Sequence, residues 1–389
     1  MGRTAKTFKY QGRELECPVF FPDATRAVLK TLDSADIELT KTQGVLVNTF
    51  HLYQDLGTQV LKKHKGVGKF MSWKGATISD SGGFQVMSVV KSSGNKKAIT
   101  DEGIALKKNG KKIMFTPEES VKFQFTMGTD MVVVLDDFTE PGANLDKARD
   151  TVERTIKWAK RSKEEYERQC DRLKLTDETR PYLLGVVQGD EHMDLRAECT
   201  QRLVNIGFDG LGYGGWPMNQ KGEFNYEVAQ VIQKNSPDNY LLYGLGIGKP
   251  HEIANMSLTG WDIFDCVLPT RDARHARLYV YNAYSIDQID ISKPDFYSYY
   301  VPNKEKYYKD TEPVSTACDC LLCTRYSRSY LSHLFKIKEL TALRLATIHN
   351  LRFYSLLMEK LREEKTSAWV SSGRFPSALQ SVSLRKDHA

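Results

Sequence analysis

Cys318-Asp-Cys320-Leu-Leu-Cys323 and the later His349 are the residues whose types and spacing speak first. Three soft thiolates and one imidazole make a tetrahedral ligand set for Zn2+. The C-x-C-x2-C spacing lets one turn supply three ligands, and a leucine-rich, helix-like run brings His349 as the fourth. Three unrelated buried thiols are the alternative, but three of the seven cysteines fall within this single stretch. With all four positions filled by protein, such a site is structural and does no chemistry. The reacting groups must lie upstream.

Upstream, carboxylates and amides punctuate short apolar runs. Ala76-Thr-Ile-Ser ends in Asp80, Met131-Val-Val-Val-Leu in Asp136-Asp137, Tyr182-Leu-Leu-Gly-Val-Val in Gln188, Phe208-Asp-Gly-Leu-Gly-Tyr in Gly214-Gly215, and Ile263-Phe in Asp265. Val45 to His51 and Tyr240 to Leu245 are runs of the same kind. Apolar runs alternating with helical stretches describe parallel strands buried on both faces. Helices are placed at Thr116-Pro-Glu-Glu, Leu145 to Cys170, Asp190 to Ile206 and Asn225 to Lys234. Six or seven such units predict an α/β fold, a (β/α)8 TIM barrel. An open doubly wound sheet is the alternative, though it usually carries a Gly-rich loop after its first strand. In a barrel, strand ends at the C-terminal face converge on one pocket. Asp80, Asp136, Gln188, Gly214, Gly215 and Asp265 would meet there. Two carboxylates can run a retaining glycosyl transfer, one as nucleophile and one as acid/base. Taken singly, any of these acids reads equally well as a helix cap.

The remaining chain fits around this frame. An Asn109-Gly110 turn flanked by lysines predicts an antiparallel hairpin near 95–116. The barrel would span 1–300, a zinc-binding helical subdomain 301–366, and a loosely held Ser-rich tail 367–389. A hydrophobic content of 41% and charged content of 27% fit a globular protein, and no long apolar run or signal peptide is visible. Scattered Cys17, Cys170, Cys199 and Cys266 are expected to be reduced thiols in a cytoplasmic protein. From Lys304 onward there are 15 Lys/Arg against 9 Asp/Glu, which equals the whole net charge of +6. That excess sits on the cysteine-bearing end, where it can meet phosphates or simply face solvent.

Together, Asp80-Ser-Gly-Gly-Phe-Gln-Val-Met-Ser88, Val187-Gln-Gly189, Gly214-Gly215, Gly246-Ile-Gly-Lys-Pro250, Phe264-Asp-Cys-Val-Leu-Pro-Thr-Arg271 and the Cys3His set resemble tRNA-guanine transglycosylase, over nearly the whole chain. The resemblance implies exchange of a guanine in a tRNA anticodon loop for a 7-deazaguanine base, preQ1 or queuine. It implies Asp265 as nucleophile at C1′ and Asp80 as general acid/base. Asp136 would accept from the guanine N1–H and amine, and Gln188 and the Gly215 N–H would donate to its O6. Phe84 would stack on the base, with Gly214, Trp216 and Leu245 also lining the site. Arg271, Arg274 and Lys249 would contact RNA, with Zn2+ held structurally. Family members often form a homodimer. Insertion into DNA, a non-catalytic partner subunit and a sugar-directed barrel glycosidase are the rival readings.

Two departures from the family pattern bear on the pocket. Phe138 stands where many bacterial members have Cys, and Trp216-Pro217 where they have Leu-Ala. Pro217 has no N–H, so the peptide after the Gly-Gly pair can offer only the Trp216 carbonyl. That predicts preference for a base bearing a cationic amine, preQ1 or queuine, over the nitrile preQ0.

Overall fold

The computed structural model describes residues 6–10, 12–85, 98–108, 111–219 and 221–371. Val86 to Ser88 of the Asp80 string, the Asn109-Gly110 turn and the chain after 371 lie outside them. Eight parallel strands form one sheet: β1 (Val19–Pro22), β2 (Gly44–Asn48), β3 (Ala76–Asp80), β4 (Met131–Val133), β5 (Tyr182–Val187), β6 (Gly210–Tyr213), β7 (Leu241–Gly244) and β8 (Ile263–Cys266). Each strand pairs with its successor from β2 to β8, and β8 pairs back on β1. The seam between β1 and β2 is closed by a parallel bridge from Asp23 to Leu46, with Ala24 N donating to Leu46 O at 2.7 Å. The result is a (β/α)8 barrel. Its first strand, β1, is only four residues long and is flanked by Pro18 and closed by Pro22, so sequence reading started the barrel one strand late.

Side chains alternate across each strand, and the alternation sorts the core in two. Val19, Phe21, Leu46, Ala76, Ile78, Met131, Val133, Leu184, Val186, Leu241, Tyr243 and Ile263 form the cluster inside the barrel. Phe20, Val132, Leu183, Val187, Leu211, Leu242 and Phe264 face outward into the helical layer. An N-terminal hairpin, Thr7–Tyr10 with Arg13–Glu16, adds Phe8, Tyr10 and Leu15 to the interior cluster. Phe8 meets Phe21 and Tyr182 at ring distances of 6.2 and 5.9 Å, so it packs at the opposite end of the barrel from the strands' C-termini.

Helices cover the outside. Pro117–Met127 starts with a Thr116 cap and Pro at its first position. Leu145–Leu173 is one long helix that buries Trp158. Met193–Ile206, Tyr226–Lys234 and Pro250–Leu258 follow their strands. A three-stranded antiparallel sheet, Ile99–Thr100, Gly103–Lys108 and Lys111–Phe115, stands beside the barrel. After β8 come a short helix, Leu268–Arg274, and an antiparallel pair, Leu278–Tyr281 with Tyr297–Tyr300. Two short helices, Leu321–Arg325 and Arg328–Lys336, precede the last helix, which runs Leu340–Ser371. This last helix is fixed to the barrel by specific contacts. Tyr354 packs on Phe20 at 4.6 Å and donates to Gly248 O at 2.6 Å, and Asn350 Nδ2 donates to Pro269 O and Arg277 O.

Candidate active site

The inward alternation that fills the barrel continues one step past the apolar layers and changes chemistry there. Following Val19 and Phe21 comes Asp23; following Leu46, Asn48; following Ile78, Asp80; following Leu184 and Val186, Gln188; following Leu241 and Tyr243, Leu245; following Ile263, Asp265. On β6 the matching positions are Gly210, Gly212 and Gly214. A β-carbon at Gly212 would lie 2.2 Å from Leu245 Cδ1, and one at Gly214 would lie 2.6 Å from Gln188 Nε2. Glycine on this strand therefore leaves room for the Leu245 and Gln188 side chains of its neighbours to close in against it. The upper layer is mostly polar and lies at the C-terminal face, where barrels do their chemistry.

Each acid is held by donors from neighbouring strands. Asp80 pairs in register with Asn48, whose Nδ2 donates to Asp80 Oδ2 at 2.9 Å. Asn48 Oδ1 meanwhile caps the helix Thr49–Asp55 by accepting from His51 N, so the amide cannot turn over. Burial lifts the Asp80 carboxyl to about 6, against the pull of the Gly82 and Ser81 N–H groups and Asn48. Asp136 accepts from Gln188 Nε2 at 2.6 Å, and Gln188 Oε1 accepts from Thr139 N at 3.1 Å. That second bond fixes the amide so that its NH2 faces Asp136, with one N–H remaining. Burial lifts Asp136 to about 7, and the charges of Asp80 and Asp137 add to the rise. Asp265 Oδ1 accepts from both the Tyr243 hydroxyl at 2.7 Å and Gly246 N at 2.8 Å. Burial raises it to about 7, with Asp23 and Asp80 pushing the same way.

The Ser81-Gly82-Gly83 turn has a steric reason. Gly82 sits at φ +85°, where a β-carbon would come within 2.4 Å of Phe50 Cβ. At Gly83 a β-carbon would lie 2.9 Å from Asp136 Oδ1. Glycine thus brings two acid-bearing strands together. Phe84 follows, 50% exposed, its ring set edge-on against buried Phe138 at 5.1 Å. Across the mouth Trp216 is 49% exposed, and Gly215 before it is at φ +86°. Two exposed aromatics thus stand at the end of the barrel that carries the acids and the amide, a set of groups suited to a flat base with several N–H donors.

Sequence reasoning missed Asp23, Asn48 and Arg196. Arg196 is 1% exposed although it lies in the helix Met193–Ile206. Its Nε donates to Asp190 O at 2.8 Å, and its Nη1 to Val187 O at 2.6 Å and Gly214 O at 2.8 Å, while the guanidinium lies over the Tyr213 ring. It thereby ties the end of β5 to the end of β6. Of the expected RNA contacts, Arg271 is exposed on Leu268–Arg274, Arg274 Nε donates to Thr270 O, and Lys249 Nζ pairs with Glu252 at 3.0 Å.

Away from the mouth, His349 Nδ1 lies 3.7, 3.5 and 3.2 Å from the Sγ atoms of Cys318, Cys320 and Cys323. All four donor atoms fall within 4.8 Å of one another. A tetrahedron with zinc-like bond lengths has edges of about 3.5–3.8 Å, so the set fits such an ion. His349 Nε2 donates to Tyr279 O at 2.7 Å, which leaves Nδ1, facing the three sulfurs, as the nitrogen that could ligate an ion. Buried Arg352 reaches Asp319, inside the cysteine turn, and Glu359. Among the described residues no helix is long and apolar enough to cross a membrane.

Comparison with known proteins agrees with this geometry. The sequence model of the family described as queuine tRNA-ribosyltransferase matches residues 2–383. A queuine tRNA-ribosyltransferase of Shewanella sp. (strain W3-18-1) is 37% identical over 350 residues, 90% of this chain and 86% of that protein. One from Aliivibrio fischeri (strain MJ11) is 35% identical over 375 residues, 96% and 92% of the two chains. With a match across nearly its whole length and a barrel mouth of paired acids, the chain belongs to the queuine tRNA-ribosyltransferase family and is a pentosyltransferase.

Proposed function

We propose that the protein exchanges a guanine in a tRNA anticodon loop for a 7-deazaguanine through a covalent link between Asp265 and ribose C1′. The observation that carries the reading is the common inward-facing layer of Asp80 and Asp265 at one barrel mouth. Both donors to Asp265 converge on Oδ1, which reserves Oδ2 for attack. In the first half-reaction the C1′–N bond to guanine breaks, a C1′–Oδ2 bond forms, and Asp80 delivers its proton to the departing base. A carboxyl at about 6 is a practical acid near neutral pH. In the second half, the incoming base gives its ring N–H proton to Asp80 and its nitrogen displaces Asp265. Two displacements leave the sugar configuration retained.

Base recognition falls to Asp136, Gln188 and the Gly215 N–H, with Phe84 and Trp216 as faces for stacking. Arg196 takes the Gly214 carbonyl, and in a trans peptide the Gly215 N–H then points the opposite way. The base must leave its stack to reach such a mouth, so the target is an unpaired loop nucleotide. Cys318, Cys320, Cys323 and His349 hold Zn2+, which braces the cysteine turn against the last helix. Pro217 leaves the Trp216 carbonyl as the acceptor for the base's substituent, favouring the cationic amines of preQ1 and queuine over preQ0.

Radiolabelled guanine exchange into tRNA tests this. The unaltered enzyme incorporates label, and Asp265→Asn loses it by about a thousandfold or more. Unlabelled competitors in the same assay rank preQ1 and queuine ahead of preQ0. Undiminished exchange by Asp265→Asn would remove the nucleophile, and equal competition by preQ0 would remove the base preference.

A further inference from the structure

Asp23 is a carboxylate at the barrel mouth that neither half-reaction uses. β1 pairs with β8 so that Phe21 lies opposite Asp265. Residues directly opposite in a sheet share a face, and so do residues two apart. Phe21 belongs to the barrel interior, so Asp23 stands on the inner face one step above it, beside Asp265. On its other side the bridge to Leu46 sets it against β2, whose next inward residue is Asn48. Asp23 is therefore flanked by the strand that bears the nucleophile and the strand that steadies the acid. It is half-buried, and its Oδ1 accepts from Thr25 N at 2.7 Å and from the Thr25 hydroxyl. Oδ2 has no donor among the described residues.

A substrate bound for attack at C1′ places particular atoms here. The carbon bonded to Asp265 carries the ring oxygen on one side and C2′ with its hydroxyl on the other. Of these, only the 2′-hydroxyl is a hydrogen-bond donor, and a carboxylate oxygen is an acceptor only. In glycosyl transfer, hydrogen bonds to the 2-hydroxyl strengthen as oxocarbenium character develops. A negative charge beside C1′ also favours that cation. The 2′-hydroxyl is, besides, the group that distinguishes RNA from DNA.

We infer that Asp23 binds the 2′-hydroxyl of the nucleotide whose base is exchanged, through its free Oδ2, and so makes the enzyme selective for ribose at that position. The inference rests on the transglycosylase reading above. The closeness of Asp23 to both reacting acids is consistent with it, since its charge raises Asp80 and Asp265 alike.

The test compares two anticodon stem-loop RNAs, one all-ribose and one with 2′-deoxyribose at the target nucleotide only. Guanine exchange is measured for the unaltered enzyme, Asp23→Asn and Asp23→Ala. Asp23→Asn keeps Oδ1 for Thr25 and so leaves the turn intact. The unaltered enzyme prefers the ribose substrate in kcat/KM by about 10- to 100-fold, the value of a hydrogen bond to a charged group. In both variants that preference collapses to about threefold or less, chiefly through loss of rate on the ribose substrate. A preference that survives in Asp23→Asn and Asp23→Ala overturns the assignment while leaving the transglycosylase reading standing. Failure of the unaltered enzyme to exchange guanine into the all-ribose substrate overturns both.

Discussion

Replacing Arg196 with methionine isolates what a single buried cation does for the pocket. The guanidinium is 1% exposed and, among the described residues, has no carboxylate within ion-pairing distance; three backbone carbonyls and the Tyr213 face surround it. Val187 O also accepts from Gly214 N at 3.0 Å, so it stays satisfied after the change. Asp190 O and Gly214 O lose their donor. Stranding two buried carbonyls costs about 2–4 kcal/mol, from which relief of a buried charge subtracts roughly 1 kcal/mol. For a chain of 389 residues, an unfolding entropy of about 2 cal/mol/K per residue converts a net 1–3 kcal/mol into a fall in Tm of only about 1–4 °C. The functional effect should be larger than that fall implies. Without Arg196 the Gly214–Gly215 peptide can turn, and the Gly215 N–H no longer faces the pocket at a fixed angle. KM for guanine should rise about three- to tenfold, the value of one neutral hydrogen bond, while kcat changes less because Asp80 and Asp265 are held by other strands. Steady-state exchange with guanine as the varied substrate, beside thermal unfolding, reads both. Arg196→Lys retains the charge but cannot bridge β5 and β6, and should behave like the methionine variant. A normal KM for guanine alongside the lower Tm would show Arg196 to be scaffolding only, and an unchanged Tm would refute the carbonyl accounting.

Asp265→Asn should stabilise the fold in a pH-dependent way while ending exchange. Asp265 is raised from 3.8 to about 7, so the native state holds a proton that the unfolded chain releases, and this stability is lost as pH rises from about 4 through 7. The Tm advantage of Asp265→Asn should thus be near zero at pH 4 and grow to its full value by pH 8; a pH-independent difference would contradict it. Removal of Zn2+ by a strong chelator should lower Tm and weaken tRNA binding before it affects guanine binding, and Cys320→Ser should do the same. Metal analysis of the purified protein checks the premise, and a metal-free protein of full stability would sink it.

How much of this could be read in the chain depends on how local the determinant is. The Cys3His cluster is set by spacing within one turn plus one helix, and the sequence alone brought those four donors together. Asp80, Gln188 and Asp265 are visible because each ends a short, largely apolar run of the kind a buried strand explains. β1 escaped because Val19-Phe-Phe-Pro22 is short and bracketed by prolines, with no amphipathic helix directly after it. With β1 unread, Asp23 has no assigned place. The alternation Val19, Phe21, Asp23, set against Ile263, Asp265, was the available signal. Arg196 could not be found this way. An arginine in an amphipathic helix is ordinarily exposed, and its burial follows from carbonyls at Val187, Asp190 and Gly214, which only the closed barrel assembles.

The acid mouth poses an electrostatic problem that the fold answers in two places. Asp23, Asp80, Asp136 and Asp265 share one rim, and a polyanionic RNA must approach it. If all four were ionised at neutral pH, the rim would repel the phosphates it has to admit. Burial holds Asp80 near 6 and Asp136 and Asp265 near 7, so part of the rim carries protons at the working pH. The donors that partly oppose this rise, Asn48, Gln188, Tyr243 and the Gly246 N–H, keep each acid able to ionise once a base or sugar meets it. The chain's surplus positive charge lies instead in the segment after Lys304, whose last helix meets β1 through Tyr354 and the helix after β8 through Asn350. On the proposed reading, attraction for the backbone and chemistry on one nucleotide are thereby assigned to different parts of the chain. Raising ionic strength should accordingly weaken tRNA binding steeply and leave competition among free bases nearly unchanged.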